Sequence, residues 1–154
     1  MRSFAFQQVN IDPLRRWRSV QHAMTYWHRR RRIPKEKLCI GIPLYGRMFP
    51  VSRPHTALDP ARKEEHRAYA FADLKRLAAE GWTPHWDYES HVPWLAAPDR
   101  KAVIAFDDRN SVDAKAKWAR EQGFRGMFFW AIGQDRMPGG KHWLVDAAVR
   151  AWPE

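Results

Sequence analysis

The sequence predicts an α/β fold made of two βα units, with an inserted α+β segment of roughly sixty residues in the first unit. Two apolar segments, 38–44 and 124–132, carry this prediction because each is a continuous hydrophobic run of strand length. Runs that are apolar on both faces are typical of strands buried inside a parallel sheet. Helical patterns around the two runs complete the order helix, strand, insertion, helix, strand, helix.

The first helix is predicted over residues 14–30, where apolar residues recur at spacings of three and four. Asp12 and Pro13 precede it and suit the cap and first position of a helix. A turn over residues 33–37 then leads into the first strand.

The insertion begins with residues 50–67, whose proline, histidine and charge predict an exposed loop rather than a packed element. An apolar stripe over residues 68–80 predicts a helix that stops at Gly81. Aromatic and β-branched residues predict strands at 82–88 and 101–106, with turns between them.

The second unit starts with a turn over residues 107–111, which supplies a helix N-cap. We expect the helix that follows to end at Gly123 and to lead into the strand over 124–132. A last helix is predicted over residues 142–152.

The net charge of +10 raises the possibility of a nucleic-acid partner, and cationic density peaks at Arg29, Arg30, Arg31 and Arg32. These arginines end a helical pattern, where cations complement the helix dipole, and no nucleic-acid-reading motif lies beside them. We therefore favour a solvated basic face over a phosphate site and expect no nucleic-acid partner.

Cys39 is the single cysteine and lies inside an apolar run, where we expect a buried side chain and no disulfide within the chain. The sequence as given shows neither the apolar stretch of a secretory signal nor a segment long enough to span a membrane. We expect no membrane partner, and the compartment stays open.

The candidate binding residues lie where the two strands end, at Tyr45, Arg47 and Trp130. In enzymes with parallel sheets, functional groups gather at the carboxyl ends of the strands. The chain has nine tryptophans, and flat indole faces can stack on sugar rings or fill a core. For any single tryptophan, the core role is the simpler interpretation.

The segment 35–47 closely resembles the seventh-strand motif of family 18 glycoside hydrolases, the chitinases and chitinase-like proteins, in which G-x-P-x-Y-G-R follows a K-L run. Residues 68–71, 86–87, 92–94 and 105–111 resemble, in order, the chitinase insertion domain and the Y-D-D-x-x-S stretch that ends it. Residues 126–130, followed by Asp135, resemble the eighth-strand G-x-x-x-W motif.

This resemblance implies the last two βα units of an eight-stranded TIM barrel, formed by residues 1–48 and 107–154, with residues 49–106 as the inserted α+β subdomain. It also implies substrate-binding roles for five of the matched residues. Trp130 would floor a sugar subsite, Tyr45 and Arg47 would hydrogen-bond the substrate, and Trp86 and Asp87 would belong to the insertion wall.

The family's D-x-x-D-x-D-x-E motif, which ends in the catalytic acid, is absent from this sequence. We therefore assign no catalytic residue, no metal ligand and no cofactor, and we interpret Asp87, Glu89, Asp107 and Asp108 as structural. The resemblance implies chitin or N-acetylglucosamine oligomers as ligand, with the remaining barrel or self-association covering the strand edges. The chain would then be a fragment, a shortened reading frame or half of a split enzyme.

Two functions stay open. One is the carbohydrate-binding part of a chitinase-like glycosidase that is not catalytic alone. The other is a non-catalytic carbohydrate-binding or scaffold protein, or a basic interaction module.

Overall fold

The fold contains two separate sheets and is described over residues 19–153 by a computed structural model. The described helices and strands follow one another in this order: α1 Val20–Thr25, β1 Cys39–Pro43, β2 Tyr45–Phe49, β3 Arg67–Ala70, α2 Phe71–Ala79, β4 Thr83–Asp87, β5 Val92–Ala96, β6 Val103–Ala105, α3 Arg109–Glu121, β7 Gly126–Trp130 and α4 Trp143–Ala151.

The first sheet pairs β1 with β7 in parallel, from Cys39 opposite Gly126 to Pro43 opposite Trp130. Residues of α3 and α4 share a hydrophobic core with this sheet, and the two helices also pack on each other. The predicted α/β class is confirmed, and so are the two apolar strands with a helix before and after the second. Asp108 caps α3 in a capping box with Ser111, as the predicted N-cap turn required.

The first sheet is covered on one face only, which corrects the expectation that both strands are buried on both faces. Ile40 and Ile42 are buried, whereas Cys39, Phe128 and Trp130 on the opposite face are exposed. Because neighbouring residues of a strand point to opposite faces, packing by α3 and α4 covers only every second side chain. The expected burial of Cys39 is therefore wrong.

The second sheet is antiparallel, with the strand order β3-β2-β6-β5-β4. Three of its strands, β2, β3 and β5, were not predicted from the sequence, and the sheet starts as early as Tyr45. Pro93 in β5 suggested a turn because proline cannot donate to a sheet ladder. Its carbonyl nevertheless accepts a hydrogen bond from the Phe106 N–H at 3.4 Å, and Val92 and Leu95 beside it are buried.

The helix predicted over residues 68–80 starts later, because residues 67–70 form β3 on the edge of β2. Ala70 keeps an extended ψ of 145° and the helix begins at Phe71. The apolar stripe alone did not show that residues 67–70 pair with the sheet edge and do not form the first turn of the helix.

The segment 50–67 also departs from its predicted exposure. Val51 and Leu58 are buried in a small second core with Phe49, Val92 and Val103. Charged residues of the segment such as Asp59 and Glu65 face solvent, while these apolar side chains cover one face of the antiparallel sheet, so average charge was a poor guide to burial.

Of the first predicted helix, residues 14–18 lie outside the described residues. The described part is α1, followed by a π-helical turn over Tyr26–Arg30 that is closed by a hydrogen bond from the Arg31 N–H to the Tyr26 carbonyl. In the part of the chain that the structure covers, no helix has the length and apolar character needed to cross a membrane.

Candidate functional site

The carboxyl ends of β1 and β7 lie side by side because the strands are parallel and Pro43 pairs with Trp130. Just beyond this pair, the Leu44 N–H donates to the Trp130 carbonyl at 2.7 Å. Trp130 is 68% exposed although its backbone is paired with β1. An indole in this position offers a broad apolar face to a ligand. Because its backbone is already ordered, binding loses little backbone entropy.

Phe128 extends this exposed surface along β7, since residues two apart on a strand share a face. A Cβ placed on Gly41 would approach the Phe128 Cζ atom to 2.9 Å, so glycine allows the ring to lie close against β1. Phe128 is 54% exposed. The uncovered face therefore carries an aromatic strip that ends at Trp130.

Tyr45 and Arg47 lie on β2, which follows β1 after a single intervening residue. They share one face of the antiparallel sheet, and both are half-buried. Gly46 points the other way, into the core against Ile104 and Leu74. The structure thus brings Tyr45 and Arg47 to the same end of the first sheet as Trp130.

Trp86 and Asp87 lie on β4, at the far edge of the antiparallel sheet from β3. Two strands, β6 and β5, separate β4 from β2, which corresponds to about 14 Å between the strands. The cross-strand partners of Arg47 place Asp87 on the same face as Arg47 and place Trp86 on the opposite face. These two residues are therefore not grouped with the other three around Trp130.

Asp87 is held by the protein itself. Its Oδ2 atom lies 2.8 Å from the His55 Nε2 atom, and its Oδ1 atom accepts from the Glu89 N–H at 3.0 Å. Burial raises the pKa of Asp87, but hydrogen bonds from His55 and Ser90 outweigh it and the pKa lies below its ordinary value. The carboxylate fastens the 50–67 segment to β4 through His55.

The other acidic residues singled out in the sequence serve the fold as well. Asp107 is buried and accepts two hydrogen bonds from Lys115 Nζ, both at 2.6 Å. Asp108 accepts from the Ser111 N–H at 2.8 Å as the cap of α3. Both carboxylates therefore stabilise the fold. Between residues 19 and 153, no cluster of three or more His, Cys, Asp or Glu residues could hold a metal ion.

A protein-family model described as "Glycosyl hydrolases family 18" matches residues 7–135. That match spans most of the sequence and contains both strands of the parallel sheet. The chain belongs to glycosyl hydrolase family 18.

Curated relatives and a solved structure agree with the family 18 assignment. A "Probable endochitinase" of Caenorhabditis elegans is 28% identical over 131 residues, which covers 79% of this chain and 21% of the relative. An "Oviduct-specific glycoprotein" of Papio anubis is 31% identical over 131 residues, covering 79% of this chain and 20% of the relative. A structure described as "Human YKL-39 is a pseudo-chitinase with retained chitooligosaccharide binding properties" superposes with a TM-score of 0.72 at 24% identity, over 86% of this chain and 39% of that chain.

This family 18 chain spans about a fifth of the length of these curated relatives and about two fifths of the superposed structure. The superposition, at its low identity, shows a shared fold.

Gln134 supports the candidate site from behind, and no sequence pattern singled it out. Its Oε1 atom accepts from the Ala131 N–H at 3.3 Å, and its own N–H donates to the Ala131 carbonyl at 3.1 Å. Its carbonyl also accepts from the Ala72 N–H of α2 at 3.0 Å. A lone glutamine in a glycine-containing turn has no recognisable pattern, yet this one fastens the segment directly after Trp130.

Asp135 anchors the next part of the same loop. It is fully buried and accepts from His142 Nδ1 at 2.8 Å, from the Leu144 N–H at 3.1 Å and from the Val145 N–H at 3.2 Å. The last two bonds satisfy the first turn of α4. Asp135 therefore stabilises the loop and helix behind Trp130.

Proposed function

We propose that this chain contributes a binding surface for N-acetylglucosamine oligomers within a chitinase-like protein of family 18. In this proposal, β1 and β7 are the last two strands of a TIM barrel, and strands β3 to β6 with α2 belong to the inserted α+β subdomain over residues 49–106. The observation that carries the proposal is the exposed indole of Trp130 at the carboxyl end of β7, beside the end of β1.

The chemistry of the three grouped residues suits an amino-sugar. An indole face packs against the apolar C–H groups of a pyranose ring, and its area makes this contact substantial. The Tyr45 hydroxyl both donates and accepts, while the Arg47 guanidinium offers several donors in a fixed plane. The description of human YKL-39 as retaining chitooligosaccharide binding supports this choice of ligand.

Binding without hydrolysis by the chain alone is part of the proposal. The sequence lacks the acidic motif of the family, and Asp87, Asp107 and Asp108 are committed to a loop contact, an ion pair and a helix cap. A family 18 enzyme also relies on the acetamido group of its substrate, which still requires a proton donor near the glycosidic oxygen. We expect the purified chain to release no product from a chromogenic chitobioside.

The test is calorimetric titration of the chain with N-acetylglucosamine tetramer. Withdrawing about 60 Å² of the indole from water contributes about 1.5 kcal/mol, so Trp130→Ala should weaken binding about tenfold. Trp27→Ala is the matched control because Trp27 is also an exposed tryptophan, 44% accessible, but lies in the π-helical turn. Equal affinity of the wild type and Trp130→Ala would refute the assignment.

The basic surface supplies the competing explanation, since Arg29, Arg30, Arg31 and Arg32 are all exposed. Binding driven by these charges would weaken steeply with added salt and would not respond to Trp130→Ala. Binding at the aromatic site should change little between low and physiological salt, because an uncharged oligosaccharide displaces few counterions.

A further inference from the structure

A groove between α3 and α4 is separate from the candidate sugar site and has a volume of about 610 Å³. None of its lining residues is among Tyr45, Arg47 or Trp130. Its buried floor includes Phe71 and Ala147. The volume falls within the range of about 300–1,000 Å³ that is common for small-molecule sites.

The carboxylates that line this α3–α4 groove are already engaged. Asp108 accepts from the Ser111 N–H at 2.8 Å, and Asp113 forms an ion pair with Lys117 at 2.8 Å. The negative charge of these two carboxylates is therefore largely compensated by partners within α3.

Unlike the carboxylates, the two arginines that line the groove are available to bind a ligand. Arg109 and Arg150 are exposed, and within residues 19–153 neither guanidinium takes part in a hydrogen bond or ion pair. Two cations gather around the Trp143 ring: Lys75 Nζ lies 3.7 Å from its centroid, and Arg109 Cζ lies 5.9 Å from it. Cation–π contacts of this kind restrain long side chains that would otherwise be free.

We propose that the α3–α4 groove binds a small organic anion, a phosphorylated or carboxylated molecule about as large as a monosaccharide or disaccharide. The oxyanion would be held by Arg109 and Arg150, whose planar guanidinium groups match phosphate and carboxylate oxygens. Asn110, at the rim, offers an amide that can donate to the same group or to a hydroxyl of the ligand. This site is independent of the proposed function, because it uses none of the residues that contact the sugar there.

The test uses three probes of similar size: N-acetylglucosamine 6-phosphate, glucuronate and uncharged N-acetylglucosamine. Protein-detected NMR should show shifts of the Trp143 indole N–H and the Arg109 amide with an anionic probe and none with the uncharged sugar. The double variant Arg109→Gln/Arg150→Gln should weaken binding by about tenfold or more, since each charge-assisted hydrogen bond is worth about that factor. Comparing the phosphate and carboxylate probes identifies which oxyanion the site prefers.

Arg120→Gln is the matched control, because Arg120 is an exposed arginine of α3 that does not line the groove. A second variant, Asn110→Trp, fills the groove from an exposed position and keeps both arginines; it should also abolish binding. The proposal is overturned if neither anionic probe binds, or if binding is the same in the double variant and in Arg120→Gln. Trp130→Ala should leave anion binding intact, which separates this result from the fate of the sugar site.

Discussion

Lys115 should be the most costly lysine to replace among those the structure describes, because its ammonium group is buried. Lys115 and Asp107 each have side chains only 1% exposed, and Nζ lies 2.6 Å from both carboxylate oxygens. Ser111 Oγ adds one donor to the same carboxylate at 2.7 Å. Lys115→Met would leave Asp107 buried with the serine as its remaining side-chain donor.

The expected loss follows from these distances and burial. Two unit charges 2.6 Å apart attract with about 6 kcal/mol at an effective dielectric constant of about 20, before desolvation is subtracted. Removing one partner of a buried pair typically costs about 3–5 kcal/mol, because the other charge stays buried and unpaired. A loss of that size is a large part of the total stability of about 5–15 kcal/mol expected for a protein.

Urea unfolding, followed by tryptophan fluorescence, measures this loss as a shift of about 2 M in the midpoint for Lys115→Met. Lys117→Met is the control: Lys117 pairs with Asp113 on the surface, where the side chains are 56% and 40% exposed and the pair contributes at most about 1 kcal/mol. The double variant Asp107→Leu/Lys115→Met should regain most of the loss, since no charge is then buried. An equal loss for Lys115→Met and Lys117→Met would show that the buried pair stabilises the fold no more than the surface pair does.

Three further outcomes are expected. Gly46→Ala should destabilise the chain by about 1–3 kcal/mol, because its Cβ would lie 2.7 Å from the Ile104 side chain. Gly126→Ala is the control, since a Cβ there meets nothing within 4 Å, and it should cost far less in the same urea assay. Asp87 has a folded pKa below its unfolded value of about 3.9. The unfolding free energy that the wild type gains over Asp87→Asn should therefore be complete above that pH and should vanish as the pH falls through the folded pKa. A constant difference in unfolding free energy across this range would contradict the assignment. Gln134→Ala should weaken binding of the N-acetylglucosamine tetramer, whereas Gln134→Glu should retain it, because a carboxylate oxygen can still accept the Ala131 N–H. Titration calorimetry measures both variants, and an equal loss in both would exclude a positioning role for Gln134.

The sequence predicted the strands of the parallel sheet well because their pattern is local. A continuous apolar run has few alternatives, and the motif residues in both runs fixed their ends within about two residues of β1 and β7. Helix α4 and the capped start of α3 were predictable for the same reason, since caps and apolar stripes lie within a few residues of each other.

Features that depend on distant contacts were not predictable in this way. Strand β2 is held by β6, which lies far along the chain, and β5 contains a proline that local rules disfavour in a strand. The burial of Lys115 is equally invisible, because an isolated lysine in a helix looks like a surface residue until Asp107 is placed against it.

The candidate sugar site was partly predictable, and the division has a physical cause. Tyr45, Arg47 and Trp130 follow apolar runs, and parallel pairing of those runs brings their ends together. Trp86 and Asp87 are neighbours on a predicted strand, so their opposite faces follow from the pleat, but the sequence does not reveal that this strand lies at the far edge of the sheet.

The exposed aromatic strip on β7 follows from a balance between the two faces of one short sheet. Met127 and Phe129 point toward α3 and α4 and pack against the core, so the alternate residues Phe128 and Trp130 must point away. Large apolar groups that remain in solvent lower stability and solubility unless a ligand or partner covers them. Gln134 also fixes the backbone directly after Trp130, so the main chain that carries the indole is ordered before any ligand arrives. Binding at this face then has to order only the side chain and the ligand, which lowers its entropic cost.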